Sequence, residues 1–235
     1  MKSYLLAGIL MAALFACQKD KNEIMEIHQP ENPDWYILTA PHSQSIRAAY
    51  GDIDGTLIIT TGLKIYQTKD KGKSWTEANA KNTIALFGFT QKQDTLLAFG
   101  TKQGTKKPNE EMKYFAADPS YFSMDEGLSW SIYKTRYNRD SLRIPLDRAY
   151  SSSGIEYQIK DITAGENTYV LIGVVENSRG SQLSLPKKHY LNSIYFDAKS
   201  RVYISAEPSV CETSKGYHLC GEPQGVLYVS KQPQI

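Results

Sequence analysis

One octet occurs twice in this chain and sets the terms for its fold. Thr68-Lys69-Asp70-Lys71-Gly72-Lys73-Ser74-Trp75 matches Ser123-Met124-Asp125-Glu126-Gly127-Leu128-Ser129-Trp130 in a hydroxyl residue, an Asp, a Gly, a Ser and a Trp at the same spacing. Aromatic residues precede both copies: Tyr66 before the first, Tyr121 and Phe122 before the second. The chemistry is that of a tight hairpin. An Asp carboxylate accepts N–H groups a few residues on, and Gly supplies a positive φ without steric cost. The hydroxyl bonds across the turn, and the Trp buries a large apolar area beneath it. A helix has no use for this string, so the repeat predicts strands on either side of each octet.

The octet resembles the Asp-box, or BNR repeat, of sialidases and other β-propellers. In that family the box joins the third and fourth strands of a blade and lies away from the ligand face. The resemblance therefore gives Asp70, Gly72, Trp75, Asp125, Gly127 and Trp130 a structural role and implies an all-β propeller. Strand–turn–strand units recur through the chain as a propeller requires. They are Ile46–Tyr50 with Thr56–Thr60, Ile84–Phe89 with Thr95–Phe99, Ile159–Thr163 with Thr168–Ile172, and Ile194–Phe196 with Arg201–Ile204. Lys107–Ala117 is the one stretch that reads as a short helix, and Pro108-Asn109 makes it equally a loop.

The tail Gly225–Lys231 resembles a strand leading into an octet, but Gln232-Pro233-Gln234-Ile235 follows in place of the Asp and Trp. Trp35–Thr39 reads as an orphan outer strand. A propeller of about four blades closed by Trp35–Thr39 reconciles the two, since such closure removes an open sheet edge. Five blades or an incomplete arc is the alternative. Tyrosine, unusually frequent at 16 residues, suits half-buried strand positions.

Sialidases of the resembled family carry an aromatic-Arg-Ile-Pro motif whose arginine grips a carboxylate. Leu142-Arg143-Ile144-Pro145 is similar, which makes Arg143 a candidate substrate contact. It follows both octets, however, whereas the family's motif precedes them, and the chain is about half the length a six-bladed sialidase needs. No catalytic residue, metal site or cofactor is assigned. The four histidines are scattered, and no P-loop, dinucleotide or zinc-protease pattern occurs. The lysines around the first octet, Lys64, Lys69, Lys71 and Lys73, would decorate an exposed hairpin. A net charge of +2 argues against nucleic acid as partner.

The N-terminus reads as an address. Met1-Lys2-Ser3 precedes an apolar run, Tyr4–Phe15, that is too short to span a bilayer comfortably. Leu14-Phe15-Ala16-Cys17 resembles the lipobox of bacterial lipoproteins, which implies cleavage before Cys17, acylation of that cysteine and an outer-membrane location. Gln18-Lys19-Asp20 resembles the surface-export signal of Bacteroidota lipoproteins. The expected organisation is a signal peptide over 1–16, lipidated Cys17 and a tether over 17–33, and a propeller over 34–235. Cys211 and Cys220 remain, and an exported chain pairs such cysteines as a hairpin staple. A metal site with His218 lacks a fourth ligand. The expected function is a non-enzymatic module that binds a glycan or an envelope protein, with a divergent sialidase-like glycosidase as the alternative.

Overall fold

Apolar runs of four to six residues punctuated by Asp, Asn, Gly and Ser turns produce short antiparallel strands, and each strand buries one face against the next sheet. In the computed structural model, which describes residues 31–81, 85–133, 142–163, 171–213 and 216–235, these strands make four sheets, the blades of a β-propeller. Strand β1 (Trp35–Thr39) comes first in the chain but belongs to the last blade. Blade I is β2 (Ala48–Gly51), β3 (Leu57–Thr60), β4 (Ile65–Thr68) and β5 (Thr76–Glu77). A two-residue strand, β6 (Asn79–Ala80), then pairs in parallel with the outer strand of blade II.

Blade II is β7 (Gly88–Lys92), β8 (Thr95–Thr105), β9 (Lys113–Ser123) and β10 (Ser129–Ile132), with β11 (Arg143–Pro145) alongside the first half of β9. Blade III is β12 (Arg148–Tyr150), β13 (Glu156–Thr163), β14 (Leu171–Asn177) and β15 (Gln182–Leu183). Blade IV is β16 (Lys188–Phe196), β17 (Val202–Thr213) and β19 (Val226–Ser230), with β18 (Gly216–Leu219) extending the end of β17. Its outer position is filled by β1, paired antiparallel to β19 from Trp35–Ser230 to Thr39–Val226. The ring closes through Trp35–Thr39, as the orphan strand implied, and the blade number is four.

Two local readings change. In the third unit, Ile159–Thr163 belongs to the second strand rather than the first, and Leu171 and Ile172 belong to the third rather than the second. The true first strand, β12, has no apolar run: it is Arg-Ala-Tyr, turned back by Ser151–Gly154. The Lys107–Ala117 stretch is not helical. Lys113–Ala117 pair with Thr101–Thr105 as the start of β9.

The core is four seams between neighbouring blades. Ile155, Tyr157, Val175, Leu191 and Ile204 join blades III and IV. Leu38, Ile46, Ile59, Tyr203 and Leu227 join IV and I, and Ala48, Ile58, Phe89, Tyr121 and Trp130 join I and II. The seam beyond blade II is the smallest, with Leu97, Phe99, Ala116 and Leu146 at its centre. Tyr66, Tyr121, Tyr203 and Tyr228 are buried in these seams, which accounts for part of the tyrosine excess.

Candidate functional site

The octets form two nearly identical turns, each joining a third strand to a fourth. In the first, Ser74 donates its N–H to Asp70 Oδ1 (2.9 Å) and its hydroxyl to Oδ2 (2.6 Å), while Thr68 Oγ1 accepts from Gly72 N (2.9 Å). In the second, Ser129 makes the same two bonds to Asp125 (2.9 and 2.6 Å), and Ser123 Oγ accepts from Gly127 N (2.9 Å). The side chain and N–H of Ser129 hold the Asp125 carboxyl below its ordinary range. At Asp70, burial works against the anion but the Ser74 and Thr68 bonds prevail. Both carboxylates are therefore consumed within their own turns.

Each turn also braces the preceding blade. Trp75 packs on the seam that holds Tyr36 of β1. Glu126 O accepts from Gln67 Nε2 at 2.8 Å, and a Cβ at Gly127, whose φ is +88°, would meet Ile58 Cδ1 at 2.5 Å. The lysines around the first octet are largely spent on ion pairs: Lys64 with Glu77, Lys69 with Glu126 (3.6 Å) and Lys71 with Asp54 (3.0 Å).

Because successive strands are antiparallel, the ends of the third strands lie on one face of the ring. The starts of the first strands and the ends of the second lie on the other. That opposite face carries a cavity of about 230 Å³. Its lining comes from Lys102 of β8, Tyr114 of β9, Asp147 before β12, Asp161 of β13, and Tyr190 and Asn192 of β16. Blade I contributes beside it through Arg47, which donates to Asn192 Oδ1 (3.1 Å) and Glu207 Oε1 (2.6 Å). Ser45 also donates to Glu207. The pairing of β16 with β17 slips at Asn192 and again at Glu207-Pro208, and such bulges re-aim side chains beside sites. Behind this network His189 is fully buried. Glu207 O can only accept, so His189 Nδ1 donates to it (2.8 Å) and Nε2 accepts from the Tyr228 hydroxyl (2.7 Å). Burial pulls the imidazole pKa down, which favours this neutral form.

The rim of the same face is apolar at four points, one per blade: Leu63, Met112, Ile162 and Leu219 are 61, 41, 49 and 64 % exposed. The β8–β9 hairpin and the β17–β18 hairpin stand up around it. Cys211 and Cys220 form a disulfide across the second, with Cα atoms 5.0 Å apart. Among the described residues no group of side chains could hold a metal ion.

Arg143 lies on β11 with its guanidinium 4.6 Å from the centre of the Phe115 ring and does not line the cavity. Arg148 starts β12 and bonds Asp147 at 3.0 Å. Cys17 and residues 1–16, expected as a signal peptide, lie outside the described residues. The cavity residues carried no sequence signal: Lys102, Asp161 and Tyr190 stand on three blades and share no motif.

No protein-family model matches the chain, and no curated protein sequence matches it. Among solved structures, a crystal structure of the tricorn protease aligns over 79% of this chain and 21% of its own length, at 7% identity and a TM-score of 0.24. The structure titled YCF48 bound to D1 peptide aligns over 86% of this chain and 67% of its own, at 16% identity and the same TM-score of 0.24. The chain thus spans about a fifth of the tricorn protease chain. Overlaps this loose bear on neither activity nor partner.

Proposed function

We propose that this protein is a non-enzymatic binding module, anchored by lipid at Cys17 to a bacterial outer membrane, that holds an envelope protein on the face opposite its Asp-box turns. One observation carries the reading: all four blades bring an exposed apolar side chain, Leu63, Met112, Ile162 or Leu219, to the rim of one face around a polar centre. An apolar ring enclosing polar groups is what a protein partner needs for both affinity and register. Tyr114 and Tyr190 in the cavity favour a glycan as the second reading, since sugar rings stack on aromatic faces.

The glycosidase alternative has less support. It needs two available carboxylates, about 5–5.5 Å apart for retention or about 6.5–9.5 Å for inversion. Of the three carboxylates in the cavity, Asp147 is already engaged by Arg148 (3.0 Å) and by the N–H of Tyr114 (3.1 Å), and Glu111 accepts from the Gln158 amide (3.1 Å).

The test is capture of envelope proteins by the full chain and by two variants. Leu63→Glu with Ile162→Glu and Leu219→Glu should abolish capture, and Met124→Glu with Leu128→Glu on the octet face should leave it intact. Equal capture by all three chains refutes the assignment of the face. A glycan array reads the second possibility. Incorporation of labelled palmitate that persists in Cys17→Ala would remove the lipid anchor from the proposal.

A further inference from the structure

Two charged groups lining the cavity, Lys102 and Asp161, form neither an ion pair nor a side-chain hydrogen bond among the described residues. The other charged groups lining it have partners: Lys160 with Glu176 (3.0 Å), Asp147 with Arg148 (3.0 Å), and Glu111 with the Gln158 amide (3.1 Å). Lys102 Nζ instead sits over the Tyr114 ring, 4.7 Å from its centre. Among the described residues neither Lys102 nor Asp161 is in an ion pair, and the Tyr190 hydroxyl has no hydrogen-bond partner. Burial pulls the Lys102 ammonium pKa down and the charge of Arg47 adds to this, against the weaker pull of Asp161, Asp147 and Glu207. Burial also pushes the Asp161 carboxyl pKa up, with Lys102 opposing the rise. Each charge is thus disfavoured by its surroundings and would be relieved by a ligand group of opposite sign.

We propose that this cavity binds a small zwitterion of the α-amino-acid class, its carboxylate on Lys102 and its ammonium on Asp161. A simple anion would satisfy Lys102 and meet Asp161 with like charge, and a simple cation would do the reverse. A molecule carrying both charges a few ångströms apart matches both. A volume of about 230 Å³ admits a molecule of that size and excludes a folded segment. Tyr190 supplies a further hydrogen-bonding group to the ligand, and the bound molecule would link blades II, III and IV. The inference rests on reading this face as the binding face, but its occupant is separate from the macromolecule on the rim.

The experiment is a titration of the full chain, in detergent, with glycine, alanine, phenylalanine, lysine and glutamate, read by isothermal calorimetry or ligand-observed NMR. N-acetyl and carboxamide derivatives serve as controls that remove one charge each. At least one free amino acid should bind, and each derivative should bind about tenfold more weakly or worse, the scale of one charge-assisted hydrogen bond. Lys102→Met and Asp161→Asn should each show a loss of the same size. Lys102→Arg should stay within a few-fold, with unchanged thermal midpoints confirming folded chains. Absence of binding by every amino acid up to about 10 mM overturns the proposal, as does binding that survives both charge-removing substitutions. The rim variants report separately. Intact partner capture with no amino-acid binding refutes the cavity's ligand and leaves the rim assignment standing.

Discussion

Replacing Arg201 by Met tests whether the closing seam is held by a buried ion cluster. The Arg201 side chain is 7% exposed and sits where blade IV meets blade I. Its Nε bonds Asp197 Oδ2 at 2.7 Å, one terminal nitrogen bonds Asp54 Oδ2 at 2.6 Å, and the other bonds Asp52. The three carboxylates do not weigh equally. Asp52 and Asp54 are 38 and 39% exposed and keep Lys199 as a partner, so their share is small. Asp197 is 3% exposed and would remain charged in the seam. It retains the N–H groups of Lys199 and Arg201, each at 2.9 Å, and the Tyr203 hydroxyl at 2.9 Å. Breaking a buried pair costs about 3–5 kcal/mol, and those remaining donors set the expected loss at the low end, about 3 kcal/mol. For a domain near 200 residues that is a fall of about 6–12 °C in thermal midpoint. Urea denaturation gives the free energy directly. Adding Asp197→Asn removes the stranded charge and should recover at least about 1 kcal/mol. A loss below about 1 kcal/mol in the single variant, or no recovery in the double, refutes the reasoning.

Further expectations concern pH, the octets and the disulfide. His189 is held neutral by burial, so its folded pKa lies below its unfolded one; stability is full above about pH 6.5 and falls below it by up to about 1.4 kcal/mol per unit, a slope that should flatten in His189→Gln. Asp54 behaves likewise at lower pH: its bonds to Lys71, Lys199 and Arg201 hold its pKa well below the carboxylate range, so its contribution is present above about pH 4 and is lost as pH falls further, and Asp54→Asn should remove that acid-limb loss in a pH series of urea midpoints. Gly127→Ala should destabilise by about 2–3 kcal/mol in urea, since it combines a φ of +88° with a contact of 2.5 Å to Ile58, and an effect under 1 kcal/mol would show that the turn does not brace blade I. Reducing Cys211–Cys220 should raise amide exchange in β18 and the adjoining part of β17 while protection in β3 and β4 is unchanged, because the staple closes a hairpin standing clear of the seams.

The octets and the closing strand were legible because their chemistry is local. An Asp, a Gly and a Trp at fixed spacing make a turn whatever surrounds them, and an apolar five-residue run ahead of the first unit had to pair with something. Blade III was read one strand out of phase for the same reason. Arg148-Ala149-Tyr150 owes its strand state to pairing with Glu156–Gln158, and nothing within those three residues reports that partner. The cavity was invisible in the sequence. Lys102, Asp161 and Tyr190 look like ordinary strand residues until antiparallel alternation brings one end of three blades together, and the bulges that turn Asn192 and Glu207 inward arise from pairing register. Arg143, singled out by its motif-like string, lies with its guanidinium over Phe115, and the cavity's charged lining comes from other residues.

The pairing of β1 with β19 also orders events in time. Trp35–Thr39 is made before the other described strands, and its partner Val226–Ser230 after them. This contact, the most distant in sequence among the described strands, must therefore wait until Val226–Ser230 has been made, and its closure entropy is met late. Until then the Leu38–Leu227 seam is incomplete, and a nascent chain exposes apolar surface there. The ring therefore locks only when Val226–Ser230 meets Trp35–Thr39, and a ribosome stalled before Val226 leaves three blades without a lock.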